Sequence, residues 1–187
     1  MTLEEGKRKV YELLDEYGEA GEGVDGDMAA KMNDLFDIAQ KEIAQRQKIL
    51  RFYTVERSAG QTEYPMPGDF LRLRRLWIDG EISRRRYVWR GGSIVIPAED
   101  GAESFEAEYF AAPATITPET EDSYVFEVRE DACQAMPFFV AGMVLSSDLV
   151  QDAGIYLNLY QQMVQNLDTT LPGENGGAAL RQTLFRS

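Results

Sequence analysis

FLRLRRLWIDG (70–80), YVWRGGSIVIP (87–97) and SFEAEYF (104–110) lie between two helical halves of this chain, and all three have the pattern of strands closed by tight turns. The first runs into Asp79-Gly80, which suits a hairpin turn because Gly takes a positive φ without steric cost. Tyr87, Val88 and Trp89 predict a short return strand, Gly91-Gly92 turns the chain again, and residues 93–96 predict the next strand, closed by Pro97. Glu99-Asp100-Gly101 is a further turn. Residues 104–110 alternate strictly, with Phe105, Ala107 and Tyr109 on one face and Glu106 and Glu108 on the other. Residues 52–57 alternate more loosely, and Tyr64 stands just before a Pro-Met-Pro-Gly turn. Short strands at this spacing predict a small antiparallel sheet or barrel.

Outward from these strands the period changes. Thr2 and Glu5 make a capping-box pattern, and Leu3, Val10, Leu13, Leu14 and Tyr17 recur at helical spacing until Gly18. Residues 18–27 are acidic and Gly-rich, the composition of a flexible loop. Asp27 is suited to cap the next helix, in which Met28, Met32, Leu35, Phe36, Ala39, Ile43 and Leu50 share a face that Ile38 and Ile49 widen. That helix is predicted to run to about Arg51. On the other side, residues 111–122 form a Pro/Thr/Glu loop and residues 124–128 predict one more short strand. Helical spacing returns from Glu130 through Ala132, Met136, Phe139, Val140, Met143 and Val144. Pro137 lacks an amide donor, so it either kinks this helix or opens a new one. After a break near Asp148 and residues 151–154, a last helix is predicted over 155–167.

TTLPGENGG (169–177) has linker composition, and Leu180, Leu184 and Phe185 follow it. The order predicts an α+β protein. A helical bundle of two N-terminal and two C-terminal helices (1–51 and 129–168) carries an inserted small antiparallel β module (52–128) and a flexible C-terminal tail (169–187).

Apolar residues make up 44% and charged residues 27% of the 187, which suits a globular protein and excludes general disorder. No apolar run approaches the roughly 18–20 residues that span a bilayer. The first ten residues carry acids where a signal peptide would be basic and apolar, so neither secretion nor membrane association is expected. Cys133 is the single cysteine, which rules out an intrachain disulfide and fits a reducing compartment. The chain has no His, so Ser–His and Cys–His catalysis and most zinc sites are removed together. Carboxylates, Lys and Tyr remain, so an enzyme is disfavoured rather than excluded. WRGGSIV (89–95) lacks the Lys and spacing of a phosphate-binding loop. GEGVDGDMAAKMND (21–34) lacks the spacing of a calcium loop, and Glu119, Glu121 and Asp122 show no metal-ligand period. No catalytic residue, metal ligand or cofactor is assigned.

The net charge is −13, unevenly spread: residues 51–90 hold nine Arg and five acids, residues 91–187 three bases and fifteen acids. A chain this acidic does not wrap nucleic acid by neutralising phosphates, and its helices are acidic or mixed, so sequence-specific nucleic-acid binding is not expected. Arg72, Arg74 and Arg75 precede the Asp79-Gly80 turn, and Arg84, Arg85 and Arg86 follow it. If the flanking strands pair as a hairpin, the triplets converge. Three explanations stand side by side: solvated charge with local ion pairs, a contact surface for an acidic patch on another subunit or protein, and direct DNA contact. Arg suits the second because its planar fork pairs carboxylates bidentately. Trp77, Tyr87 and Trp89 interleave with the Arg as a base-stacking surface would, but they are more simply the apolar face of the sheet. Basic and acidic surfaces on one chain also favour head-to-tail self-association.

Three passages resemble the head–tail connector (adaptor, or head-completion) proteins of tailed phages: AAKMNDLFDIAQKEIAQ (29–45); the set YPMPGDFLRLRRLW (64–77), YVWRGGSIVIP (87–97) and FEAEYFAAPATIT (105–117); and FEVREDACQAMPFFVAGMVLSSD (126–148). The family pattern falls on Pro67-Gly68-Asp69-Phe70, on residues 109–113 and on residues 130–145, and the resemblance covers roughly 28–167. It implies a virion protein of the head–tail junction without cofactor, a ring that is usually dodecameric, a portal protein above it and tail or stopper proteins below. It also implies an extended tail reaching the portal or a neighbouring copy, which residues 169–187 suit. The interaction candidates are therefore Arg72, Arg74, Arg75, Arg84, Arg85 and Arg86 with Leu180, Arg181, Leu184 and Phe185. The alternatives are another phage neck or tail-completion protein and, less favoured, a carboxylate-dependent enzyme.

Overall fold

A computed structural model describes residues 1–14, 26–58, 60–83, 87–97, 104–146 and 150–167. The chain forms two compact units, one of residues 1–48 with those from 113 onward, the other of residues 49–112. The class is α+β, helices in the first unit and antiparallel sheets in the second.

In the helical unit, α1 (Leu3–Leu13) starts with the capping box: Glu5 N–H donates to Thr2 Oγ1 (3.2 Å) and Thr2 N–H donates to the Glu5 carboxylate (2.8 Å). Leu3, Gly6 and Val10 are buried, and a Cβ on Gly6 would stand 3.0 Å from the Phe36 ring. The second helix, α2 (Gly26–Gln47), buries Met32, Phe36, Ala39 and Ile43. It stops at Gln47, short of the expected Arg51. Lys48 takes a left-handed φ of 56° while its N–H still bonds Ala44 O, so Ile49 and Leu50 leave as strand. Ile38, expected to widen the apolar face, is exposed.

A polar stripe accompanies that face. Asn33 donates to Thr117 O (2.9 Å), Asp37 accepts from Ile116 N–H (2.9 Å), Gln40 accepts from Glu127 N–H (2.9 Å) and donates to Ala114 O (3.2 Å), and Gln47 accepts from Arg129 N–H (3.3 Å). These four side chains satisfy the backbone of a connecting segment that has no ladder of its own. Residues 124–128 are therefore not a strand. Val125 makes one isolated antiparallel bridge to Thr2, and Phe126 packs in a tilted arrangement against Phe36 with ring centroids 5.3 Å apart.

After α3 (Glu130–Cys133), Pro137 lies in the first turn of α4 (Met136–Leu145), where a missing N–H costs nothing: it opens a helix rather than kinking one. α4 has no charged residue and is packed against α1, α2 and α5 (Val150–Gln165). α5 begins before the predicted position, so Gly154 lies within it. Gly142 is the close-approach point, since a Cβ there would fall 2.7 Å from Leu157 Cγ. Tyr156 donates to Leu13 O (2.7 Å) and Tyr160 to the Glu42 carboxylate (3.0 Å), fastening α5 to α1 and α2.

The second unit holds β1 (Ile49–Glu56), β2 (Glu63–Pro65), β3 (Phe70–Ile78), β4 (Glu81–Ile82), β5 (Val88–Arg90), β6 (Ser93–Val95) and β7 (Ser104–Ala111). They form a four-stranded sheet, β1-β7-β3-β4, and a three-stranded sheet, β2-β6-β5. Tyr64, Ile94 and Ile96 meet Leu76, Phe105 and Ala107 in one buried cluster, which Val55, Met66, Leu73, Ile78 and Tyr87 extend. The alternation in β7 thus supplies the core face through Phe105, Ala107 and Tyr109. Glu108, on the opposite face, is also buried, because β7 is a central strand and that face is roofed by neighbouring side chains.

Candidate protein-interaction surface

The hairpin that would bring the two Arg triplets together is not formed by the strands in question. β3 turns at Asp79-Gly80 into β4, with Trp77 opposite Ile82, whereas β5 pairs with β6 in the other sheet. Arg84, Arg85 and Arg86 lie outside the described residues, as do Leu180, Arg181, Leu184 and Phe185.

The other three Arg sit on β3 and have different surroundings. The β3–β7 register slips between Phe70 and Arg72 and again between Leu73 and Arg75. A strand in regular register sends neighbouring side chains to opposite faces, but a bulge re-aims one of them. Arg74 and Arg75 therefore both approach Glu108, at 2.6 Å from Arg74 Nη1 and 3.8 Å from Arg75 Nε. Side chains of the Arg74–Glu108 pair are 10% and 5% exposed, and that of Arg75 is 45% exposed. Arg72 lies over the Phe110 ring at 5.3 Å. Local pairing thus occupies Arg74, while Arg72 and Arg75 stay at the surface.

Register places Phe52, Glu108 and Arg75 in one cross-strand row and Thr54, Glu106, Trp77 and Ile82 in the next, on the face away from the buried cluster. Phe52 and Trp77 come from strands on either side of β7, yet their ring centroids are 6.2 Å apart. The rings lean over the central strand. Phe52 remains 60% and Ile82 58% exposed. This face is an aromatic and aliphatic patch bordered by Arg72 and Arg75. The patch was not read from sequence, because Phe52 lies in the loosely alternating segment and β4 is only two residues long.

Pro67-Gly68-Asp69-Phe70 is a packing junction. Phe70 N–H donates to Pro67 O (3.0 Å), and Asp69 O accepts from Ala112 N–H (2.8 Å). The Asp69 carboxylate accepts from Tyr109 OH (3.0 Å) and pairs with Arg51. Phe70 stacks on Trp89 at 4.4 Å and on Tyr109 at 5.4 Å. Burial of the ring, with Asp69 beside its hydroxyl, raises the Tyr109 pKa. One motif thereby ties β1, β3, β5 and β7 together. Residues 109–113 follow from the same junction.

Cys133 is buried with its thiol directed at Val128 O (3.5 Å), and burial pushes its pKa up to about 11. That is the opposite of the depressed pKa a nucleophile needs. Among the described residues no group of three or more His, Cys, Asp or Glu could hold a metal ion, and no helix is long and apolar enough to cross a membrane.

The family described as SU10 adaptor protein matches residues 1–181, through the helices of the first unit and both sheets of the second. Comparison with the curated proteins gives no match. Since the match takes in nearly the whole chain, the protein belongs to the SU10 adaptor family: it is a structural adaptor of a bacteriophage, a virion component that works in contact with other capsid or tail proteins.

Proposed function

We propose that the protein is the ring-forming subunit that joins portal to tail at the phage head–tail junction and extends the channel through which DNA passes. One observation carries this: the adaptor family covers residues 1–181, so helices, sheets and the Pro67–Phe70 junction all belong to the adaptor pattern. The motifs of the resemblance have packing roles. Asp69, Phe70 and Tyr109 lock strands, and Pro137 starts a helix. In this reading the helices form a bundle into whose sequence the β module is inserted, and residues 169–187 reach the portal or a neighbouring copy through Leu180, Arg181, Leu184 and Phe185. Arg72, Arg75 and the 84–86 triplet meet carboxylates of another subunit or protein. A net charge of −13 suits a channel wall from which DNA slides without sticking.

The test is native mass by light scattering across protein concentration, with and without the portal protein encoded beside this chain. A ring, or a monomer that joins the portal in stoichiometric number, is the expected result. A monomer that ignores the portal and binds tail components instead would reassign the chain to the neck or tail-completion proteins.

A further inference from the structure

The outer face of the β1-β7-β3-β4 sheet presents apolar and basic side chains next to each other. Phe52, Trp77 and Ile82 form the apolar part and Arg72 and Arg75 the basic border. The same polypeptide carries the complement on its other unit. Residues 1–48 with 113–187 hold 22 acids and 10 bases, whereas residues 49–112 hold 10 acids and 9 bases. Within residues 119–131 there are six acids and one Arg, and Val125 stands in their midst 61% exposed, held outward by its bridge to Thr2. Glu119, Glu121 and Asp122 beside it are exposed as well.

We infer that the sheet face of one copy receives the acidic ridge around Val125 of a second copy, the apolar patch covering Val125 and Arg72 and Arg75 meeting the flanking carboxylates. Two different surfaces make a heterologous contact, the kind that closes into rings, and opposite charges set its register. The inference rests on the ring reading above.

The pairing is tested with the full chain by native mass, using R72E/I82E on the sheet side and E119R/E121R on the ridge side. Each variant alone sets like charges against each other, and its self-association falls at least about a hundredfold. An equimolar mixture alternates the two copies, so every contact is again between opposite charges, and association returns. Phe52→Ser, which changes no charge, weakens association without rescue by either partner. Circular dichroism and unfolding midpoints confirm that each variant is folded. If the wild type assembles and R72E/I82E assembles equally well, or if two folded variants stay apart when mixed, this contact is wrong while the ring stands. If the wild type associates neither with itself nor on the portal, ring and contact fall together.

Discussion

At the scale of single residues, two neighbouring arginines differ in consequence. Arg74 shields a buried carboxylate, so Arg74→Ala leaves Glu108 without its closest charge and is expected to destabilise by about 3–5 kcal/mol in denaturant unfolding. Arg75 is nearly half exposed and 3.8 Å from the same carboxylate, and Arg75→Ala is expected to cost no more than about 1 kcal/mol. Equal losses at both positions would mean that Arg74 does not hold Glu108 as described. Cys133 gives a second prediction. With its pKa raised from 9.0 to about 11, the folded thiol has about a hundredfold less thiolate at pH 8 than an ordinary thiol, and burial slows attack further. Labelling by a disulfide reagent should follow global unfolding. Because the folded pKa lies above the unfolded one, the protonated thiol's contribution to stability is complete below about pH 9 and is lost as pH rises towards 11.

Among the elements, the α4–α5 contact depends on one hydrogen atom. Gly142 gives α5 room to approach, and a methyl group there would meet Leu157 Cγ at 2.7 Å and Ala153 O at 3.2 Å. Gly142→Ala gains helix propensity of roughly 1 kcal/mol but must move Leu157 or part the helices. Overpacking prevails, with a net loss of about 1–3 kcal/mol in thermal or denaturant unfolding. Gly154, on α5 but facing open space, is the control: Gly154→Ala should be neutral or stabilising. A loss at Gly154 as large as at Gly142 would remove close approach as the explanation.

For the whole molecule, the governing quantity is the distribution of charge. A chain of net −13 with nine of its fourteen Arg in the sheet unit is attracted to acidic protein surfaces more than to phosphate backbones. In a gel-shift assay with duplex DNA at physiological salt, the isolated protein should show no retardation. Strong, salt-sensitive binding would instead assign the Arg surface to nucleic acid. Assembly through opposite charges should also weaken as salt is raised, since screening shortens their reach.

Composition and period sufficed for the α+β class, the capping box, the β7 core face and the absence of His-based chemistry, because each is a local property. The predicted strands over 70–78, 93–96 and 104–110 coincide closely with β3, β6 and β7, where turn residues mark the ends. Which strand lies beside which is a non-local matter. No periodicity could show that β5 leaves β3 for the other sheet, and with it the expected hairpin of arginines. The end of α2 was misplaced for a related reason: Ile49 and Leu50 fit a helical face as well as a strand, and the left-handed Lys48 decides between them. The apolar face of α2 was legible from its period, but the burial of Asn33, Gln40 and Gln47 beside it follows only from the carbonyls and amides of residues 114–129 that come to lie against them. Glu108 was legible only as lying on the face opposite Phe105, Ala107 and Tyr109. Packing alone made it a buried charge, since two bulges and two leaning rings from neighbouring strands cover a position that the strand's own alternation leaves open to water.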